Sequence, residues 1–313
     1  MTIQKKLLVL VDGSDRSMQT INYVKEFMPV DENTRIVLFH VFSGIPEEYR
    51  ELEENPTCHS AVRQLRDRET EQQRKTRAYL ERGKKILITR GFSEQSIEIK
   101  FHSLEKGVAM DIIDEARNGY SAVVLRRRGI GALKSIILGS VAVKLLQSLT
   151  FIPIIIVGQA PPVKRILFAV DTSPSSMKAV EFASSLLGGH GYEACIFHAI
   201  ISLGAINFEL LGVNEPEMPD NCIEALKSKV MRTFKVLKDM LMVSGFESEK
   251  ISEKIITGAN SRSCAIVEEA EDGGYGTIVV GRRGLSKVEA FFMGRVSNKV
   301  VHVGNKFTVW VVP

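Results

Sequence analysis

The chain carries one succession of features twice, from Lys6 to Gly158 and again from Lys164 to Pro313. In each copy an apolar run leads to an aspartate, a second run ends in Phe-His, a glycine precedes a helical stretch, and an Arg-Arg-Gly loop is followed ten positions later by another glycine. Matched positions lie 151 to 159 residues apart. This spacing indicates a duplicated domain with small loop changes, so a function proposed for one copy must be weighed against the other.

The length of the chain, 313 residues, suits two domains of roughly 150 residues each. We place these domains at residues 1–158 and 159–313. Between the two repeats, the segment Gly-Gln-Ala-Pro-Pro-Val at residues 158–163 has the composition of a short, stiff linker.

Five strands are predicted in each copy. The first of them is continuously apolar rather than alternating, which is typical of parallel strands covered by helices on both faces. The predicted strands are residues 7–12, 36–41, 97–101, 122–125 and 152–157 in the first copy, and 166–171, 194–200, 254–256, 277–280 and 307–312 in the second. Helices are expected between the strands, including a long, charged one over 60–82 and an amphipathic one over 223–243.

Alternation of strands and helices predicts an α/β fold: two tandem five-stranded parallel-sheet sandwiches. The last strand of each copy is wholly apolar, and an exposed edge of that kind would aggregate. We therefore expect the two last strands to pair, which would make the chain an internal pseudo-dimer. Two glycines, Gly107 and Gly258, are each expected to open a helix.

Composition narrows the functional classes. The net charge of +4 is small, so a nucleic-acid partner is not favoured. There is no run of 18 or more apolar residues for a membrane span, and the amino-terminal residues do not resemble a secretory signal. The four cysteines lack the spacing of a metal site or a disulfide framework, so we expect a cytoplasmic protein.

Three features of each copy fall where a parallel sheet binds ligands, at the carboxyl ends of its strands. The first is the aspartate after strand one, which could bind a ribose or base edge or simply cap the next helix. The second is the Arg-Arg-Gly loop, which could cradle an anion or be a solvated turn. The third is the later glycine at a helix start, which suits phosphate or simply begins a helix.

The histidines and cysteines suggest no catalytic pair. His40 and His198 occupy matched strand positions, where a structural role satisfied by hydrogen bonds is the favoured interpretation. Cys195 lies in an apolar run and is expected to pack as a small hydrophobic residue. No catalytic residue and no metal ligand is therefore assigned.

In their joint order, these features resemble the universal stress protein family over essentially the whole chain, as two tandem domains. The resemblance implies a Rossmann-like fold of the adenine nucleotide alpha hydrolase type, dimerisation through the last strand, and adenine nucleotide binding by some members. In ATP-binding members the loop reads Gly, two residues, Gly, nine residues, Gly, then Ser or Thr. The aspartate and the backbone after strand two hold adenosine, and the loop and the following helix hold phosphates.

Carried onto the first copy, the resemblance implies a site that departs from this pattern at one position. Arg126 stands where the first glycine of the loop belongs. The remaining site residues of the first copy are Asp12, Val41, Gly129, Gly139 and Ser140.

In the second copy all three glycines are present, but Arg295 stands in place of the hydroxyl residue. Arginine is a strong phosphate donor, so this copy is expected to be the better nucleotide site. Its site residues are Asp171, Ala199, Gly281, Gly284, Gly294, Arg295 and Val296.

Three functional hypotheses remain at this point. The first is a regulatory protein of the stress response that binds ATP or another adenine nucleotide, with Mg²⁺ accompanying the phosphates. The second is a slow ATPase, although Lys134, Lys287 and Arg295 near the loops are cations rather than groups that orient water. The third is a protein-interaction scaffold with degenerate sites. A homodimer of whole chains is compatible with all three.

Overall fold

The structure, a computed structural model, describes residues 5–14, 17–127, 138–202, 221–284 and 293–313. The chain forms two compact units. One consists of Met1–Glu26 and Val30–Arg126, and the other of Phe27–Pro29 and Arg127–Pro313. The last part of the first sequence repeat therefore belongs to the second unit, and the domain limits 1–158 and 159–313 remain a prediction.

The first unit contains a parallel sheet whose strands lie in the order β3-β2-β1-β4. Leu7, Leu8 and Val9 in β1 are all fully buried, because successive side chains point to opposite faces and both faces are covered. This explains the continuous apolar pattern of the sequence. The strands are β1 (Lys5–Leu10), β2 (Thr34–Phe42), β3 (Ile97–Ser103) and β4 (Ala122–Arg126).

The helices that begin in this unit are α1 (Met18–Phe27), α2 (Glu47–Arg50), α3 (His59–Arg90) and α4 (Val108–Ala116). The predicted long, charged helix is confirmed as α3, which is longer than expected. Most of α3 is exposed and carries ion pairs such as Arg74–Glu71, while a narrow stripe that includes Leu80 and Leu87 is buried. It ends at Gly91, whose φ of 115° is readily adopted only by glycine.

The described residues of the second unit form six strands in the order β5-β10-β9-β6-β7-β8. The pairs are parallel except for β10 and β5, which are antiparallel. The strands are β5 (Ile154–Val157), β6 (Arg165–Ala169), β7 (Glu193–Ile201), β8 (Ile251–Ala259), β9 (Thr277–Gly281) and β10 (Thr308–Val312).

The helices of this unit pack an apolar face on the sheet. Helix α7 buries Val230, Phe234, Leu237 and Leu241, which recur every three or four residues as the amphipathic pattern predicted. The helices are α5 (Ser140–Ser148), α6 (Pro174–Leu187), α7 (Asn221–Val243), α8 (Arg262–Asp272) and α9 (Arg295–Val303). Across the described ranges, no helix combines the length and apolar character that crossing a membrane requires.

One predicted helix start is wrong. Gly107 does precede α4 directly as its N-cap. Gly258, by contrast, lies inside β8, and α8 begins only at Arg262 after the N-cap residue Ser261. Gly258, with a φ of 76°, lies at an irregularity in the pairing of β7 with β8, where Ala199 pairs with Ile256 but Ile201 pairs with Ala259. An irregularity of this kind bends a strand and does not start a helix.

The last strands of the two repeats, β5 and β10, are neighbours within the second unit. Trp310 pairs with Ile155, and Val309 and Val311 pair with the residues on either side of it. Trp310 and Ile155 are both completely buried. The apolar edges that the sequence leaves at the end of each repeat thus cover each other.

Candidate functional site

Asp171 is held firmly just beyond the carboxyl end of β6. Its Oδ1 accepts hydrogen bonds from the Ser173 backbone N–H at 3.0 Å and from Ser176 Oγ at 2.7 Å. The N-cap of α6 is Ser173, not the aspartate. Asp171 therefore does not cap the helix through its side chain.

Two glycines, one at the last residue of β9 and one just after it, allow the loop to approach Asp171 and the start of α6 closely. A Cβ atom at position 284 would lie 2.6 Å from Asp171 Oδ2, and one at position 281 would lie 2.7 Å from Ser175 Oγ. Both distances are too short for a side chain. Gly281 and Gly284 are thus required to pack the loop against the start of α6 and against the carboxylate.

Gly294 brings the far end of the same loop back to its beginning. Its N–H donates to the Arg282 carbonyl at 2.8 Å, and a Cβ there would be 3.2 Å from that oxygen. Gly294 is also the N-cap of α9. The predicted position of this glycine, at the opening of the last helix, is confirmed.

The first turn of α9 presents donors beside this loop. Arg295 is exposed and Val296 is half-buried, and a helix start carries backbone N–H groups that lack helical acceptors. These groups and the helix dipole favour an anion. Ser297 is turned inward instead, where its Oγ donates to the Gly281 carbonyl at 2.6 Å.

Neither interpretation of the Arg-Arg-Gly loop, an anion cradle or a solvated turn, fits its first arginine, because the Arg282 side chain is only 1% exposed. Its guanidinium donates to the carbonyls of Leu149 and Gln147 instead. Arg283 remains half-buried in the loop, and its backbone N–H donates to Ser175 Oγ at 3.3 Å.

The strand β7 contributes Ala199, which is buried, and His198 beside it. His198 Nδ1 lies 2.7 Å from the Val170 carbonyl, so this nitrogen carries the hydrogen. Burial lowers the pKa of His198, and neighbouring Arg262 lowers it further, despite the opposing effects of the Val170 bond and of Asp171. The predicted structural role of this histidine is confirmed.

In the first repeat the corresponding residues divide between the two compact units. Asp12, Val41 and Arg126 belong to the first unit, while Gly139 and Ser140 belong to the second. Gly129 lies outside the described residues.

Asp12 is organised like Asp171. Its Oδ1 accepts hydrogen bonds from both the backbone N–H and the Oγ of Ser14. Burial raises the pKa of Asp12, but the bonds from Ser14 and Ser17 and the charge of His40 offset this, and the pKa is lowered. His40 Nδ1 donates to the Val11 carbonyl at 2.7 Å, which confirms its structural role.

Gly139 is the N-cap of α5, as expected. A hydroxyl residue after this glycine could cap the helix, but Ser140 is instead the first helical residue, with no side-chain cap bond at this end. Its exposed position leaves the hydroxyl free to face solvent at the helix start.

Sequence reasoning missed the serines that assemble the second-repeat loop. Ser175, Ser176 and Ser297 bind the backbone of the loop or the carboxylate of Asp171. The Ser-rich start of α6 was visible in the sequence as a capping signal, but its role in binding a distant loop depends on the tertiary structure.

Metal and disulfide chemistry is not apparent at these positions. Within the described part of the chain, no group of three or more His, Cys, Asp or Glu side chains could hold a metal ion. The four cysteines are free, and Cys195 is buried as the sequence predicted.

The fold and the site together define a tandem parallel α/β protein with a glycine loop at a helix start. The model of the universal stress protein family matches residues 4–158 and again 162–313. The chain therefore belongs to the universal stress protein family and contains two copies of its domain.

Individual relatives agree with this assignment. Universal stress protein YxiE of Bacillus subtilis (strain 168) is 28% identical over 141 residues, which is 44% of this chain and 90% of the relative. A universal stress protein from Archaeoglobus fulgidus DSM 4304 has a similar fold, with a TM-score of 0.65 at 20% identity over 98% of both chains. A functionally unknown protein, PA1789 of Pseudomonas aeruginosa PAO1, has a TM-score of 0.54 at 15% identity, over 98% of this chain and 92% of that one.

Proposed function

We propose that the second repeat binds an adenine nucleotide and that the chain acts as a regulatory protein of the stress response. The observation that carries this proposal is the close approach of the glycine loop to Asp171. A Cβ at Gly284 would fall 2.6 Å from the Asp171 carboxylate, while Gly294 closes the same loop at the start of α9. An acceptor for a nucleoside, Asp171, thus lies against the loop that leads to the backbone donors for phosphates at the start of α9.

Each group has a chemical role in this proposal. The Asp171 carboxylate accepts hydrogen bonds from the base edge or the ribose, beside the backbone at Ala199. The N–H groups of the first turn of α9 and the Arg295 guanidinium bind the phosphates. Ser297 is turned inward and does not face the phosphates, whereas the Arg295 side chain is exposed and can bind them. These residues fit a nucleotide, because glycine backbone and a helix start make room for a phosphate chain.

The first repeat is proposed to bind more weakly. Arg126 occupies the position that matches Gly281, where a side chain replaces the close backbone packing of the second repeat. Asp12 keeps its bonded carboxylate, and Gly139 keeps its helix start. A divalent cation such as Mg²⁺ would accompany the phosphates rather than occupy a protein cage.

The pairing of the repeats is part of the proposal. We infer that the two domains associate internally through their last strands, which is supported by the antiparallel register of β5 and β10. This pairing covers the apolar edges of β5 and β10, which would otherwise favour association of two chains. A homodimer of whole chains would therefore need another surface. Four free cysteines suit a reducing compartment such as the cytoplasm.

The test is equilibrium binding of ATP to the purified chain in low salt with magnesium. We expect one site per chain with a Kd on the order of micromolar. Gly284→Ala should weaken binding by about tenfold or more, because its Cβ displaces the Asp171 carboxylate. Asp171→Asn should also weaken it, whereas the matched variant Asp12→Asn should leave the site intact.

Two outcomes would contradict this proposal. If the folded wild-type chain binds no ATP, the scaffold hypothesis stands instead. If Asp12→Asn abolishes binding and Asp171→Asn does not, the site belongs to the first repeat. ATP hydrolysis measured in the same samples separates a binding protein from a slow ATPase.

A further inference from the structure

Two matched arginines, Arg127 and Arg282, are buried where their sequence context suggested solvent or phosphate. They are 5% and 1% exposed, respectively. Each begins the glycine loop of its repeat. Each is also bonded by its backbone N–H to the last strand of that repeat, Arg127 to the Val157 carbonyl at 3.3 Å and Arg282 to the Val312 carbonyl at 2.5 Å.

The side chains reach the other repeat. Arg282 donates from Nη1 to the Leu149 carbonyl at 3.4 Å and from Nη2 to the Gln147 carbonyl at 3.3 Å. These carbonyls are at the end of α5, which belongs to the first repeat. Reciprocally, Arg127 Nη1 donates to the Val301 carbonyl near the end of α9, in the second repeat. Both arginines and the three residues whose carbonyls they contact lie within the second compact unit.

A helix end is a reasonable partner for a buried guanidinium. The last carbonyls of a helix lack helical donors and form the negative end of its dipole. In the described part of the chain, no carboxylate is within ion-pairing distance of the Arg282 guanidinium, and its Nε has no acceptor. Burial lowers the pKa of Arg282, and it lowers that of Arg127 to about 10.

Burying the Arg282 guanidinium with only two carbonyl acceptors among the described residues costs free energy, so its contacts are not explained by stability alone. These contacts also determine where the loop of the second repeat begins. The Arg282 carbonyl accepts the bond from Gly294 N–H that closes the second-repeat loop, while the Arg282 side chain is anchored on α5. The position of Arg282, where this loop begins and closes, therefore depends on a helix of the other repeat.

We infer that Arg127 and Arg282 are reciprocal positioning residues, each of which ties the glycine loop of its own repeat to the last helix of the other. The loop that carries the proposed nucleotide site is thereby coupled to α5 of the first repeat. The link between ligand and α5 rests on the proposed function, whereas the crossed anchoring does not.

The test is amide hydrogen exchange read by mass spectrometry on the full chain. Arg282→Met keeps an apolar stem and removes the donors. It should speed exchange at the end of α5 on the order of fivefold and leave the end of α9 unchanged. Arg127→Met is the matched variant and should do the reverse. This crossed pattern is what a local packing defect would not produce.

A conservative variant keeps the test decisive if a methionine variant fails to fold. Arg282→Lys retains the charge but has a single ammonium in place of the guanidinium fork. The exchange rate at the end of α5 should therefore lie between those of the wild type and Arg282→Met. If only the lysine variant folds, its exchange rate there should still exceed that of the wild type. The inference is overturned if either Arg282 variant instead speeds exchange at the carboxyl end of α9, or if the end of α5 exchanges as in the wild type.

A second arm adds ATP and magnesium. In the wild type, ATP should slow exchange at the end of α5, and Arg282→Met should abolish this slowing while its ATP affinity falls severalfold. A crossed exchange pattern without any ATP binding would reject the proposed function and leave the anchoring intact. ATP binding by the wild type without the crossed exchange pattern would reject the anchoring and leave the proposed function intact.

Discussion

At the scale of single residues, the serines of α6 determine how Asp171 is presented. Ser176 Oγ donates to Asp171 Oδ1 at 2.7 Å and accepts from the Asp171 backbone N–H at 2.9 Å, and it is buried. One hydroxyl therefore fixes both the backbone and the carboxylate of the aspartate. Ser173 adds a second bond and caps the helix.

We predict that Ser176→Ala lowers the free energy of unfolding by about 2 kcal/mol, because a buried N–H and a carboxylate oxygen each lose a partner. The variant should also weaken ATP binding, because the carboxylate is no longer oriented. Chemical denaturation and ATP titration measure the two effects. Ser17→Ala is the matched change beside Asp12, and we expect it to lower stability without changing ATP affinity.

Stability should also depend on pH through two histidines. Burial lowers the pKa of His40 and of His198 in the folded chain, although bonds to the Val11 and Val170 carbonyls oppose it. The unfolded chain takes up protons near pH 6.5, before the folded chain does. The contribution of the two neutral histidines to the free energy of unfolding is therefore fully present above about pH 6.5 and declines as the pH falls below that value.

We predict that the double variant His40→Asn and His198→Asn shows a flatter dependence of unfolding free energy between pH 7 and pH 5, because asparagine can still donate to the carbonyls but does not titrate. Urea unfolding at several pH values measures this. Asp12 does not interfere, since its lowered pKa removes its contribution only below its ordinary value of 3.8. An unchanged slope would contradict the assignment.

At the scale of elements, α3 and α1 cross where a glycine removes a side chain. A Cβ at Gly83 would lie 2.4 Å from Ile21 Cδ1 and 3.5 Å from Leu38 Cδ1. Ile21 and Leu38 are fully buried, so little space is available. The long charged helix therefore rests on the unit through a narrow contact.

We predict that Gly83→Val lowers the free energy of unfolding by about 1–3 kcal/mol through overpacking. Thermal or chemical unfolding measures it. Arg82→Val, at the adjacent exposed position of the same helix, should change stability by no more than about 0.5 kcal/mol. Helix propensity cannot produce this difference, because valine is a better helix former than glycine and a poorer one than arginine. Equal effects of the two variants would contradict the close contact between Gly83 and Ile21.

Most elements could be predicted from the sequence because their signals are local. Continuous apolar runs mark strands such as β1, and the spacing of Val230 and Phe234 marks the buried face of α7. The prediction that Gly258 opens a helix was wrong because a glycine indicates backbone freedom but not which structure will use it. The same residue type caps α4 at Gly107 and bends β8 at Gly258.

At the scale of the whole molecule, the pairing of β5 with β10 joins the end of one repeat to the end of the other. Ile155 lies opposite Trp310 in this pair, and both are fully buried. Trp310 is the single tryptophan of the chain, so its fluorescence reports directly on this pairing.

We predict that Ile155→Lys lowers the free energy of unfolding by more than about 3 kcal/mol, because a charge is buried without a partner. Tryptophan fluorescence during urea unfolding should show an earlier transition and a red-shifted native signal. Val163→Lys, at an exposed position near the linker, should leave both unchanged. A native-like signal in Ile155→Lys would mean that β5 and β10 do not pair in solution.

By itself, the sequence determined the duplication, the class of fold, the order of strands and helices along the chain, and the positions of Asp171, Gly281, Gly284 and Gly294 in the second repeat. These follow from short-range patterns and from comparing two copies of one design. That His40 and His198 are structural also followed, because each stands alone with no catalytic partner at a suggestive spacing.

Only the tertiary structure decided what the side chains of the loops do. Arg282 reads as a loop cation in sequence, yet it is buried against the Gln147 carbonyl, which is 135 residues away along the chain. Ser176 reads as a helix start, yet it also orients a carboxylate. The physical reason is that a side chain bonds to whatever the fold places within about 3 Å of it, and distant segments leave no local trace in the sequence.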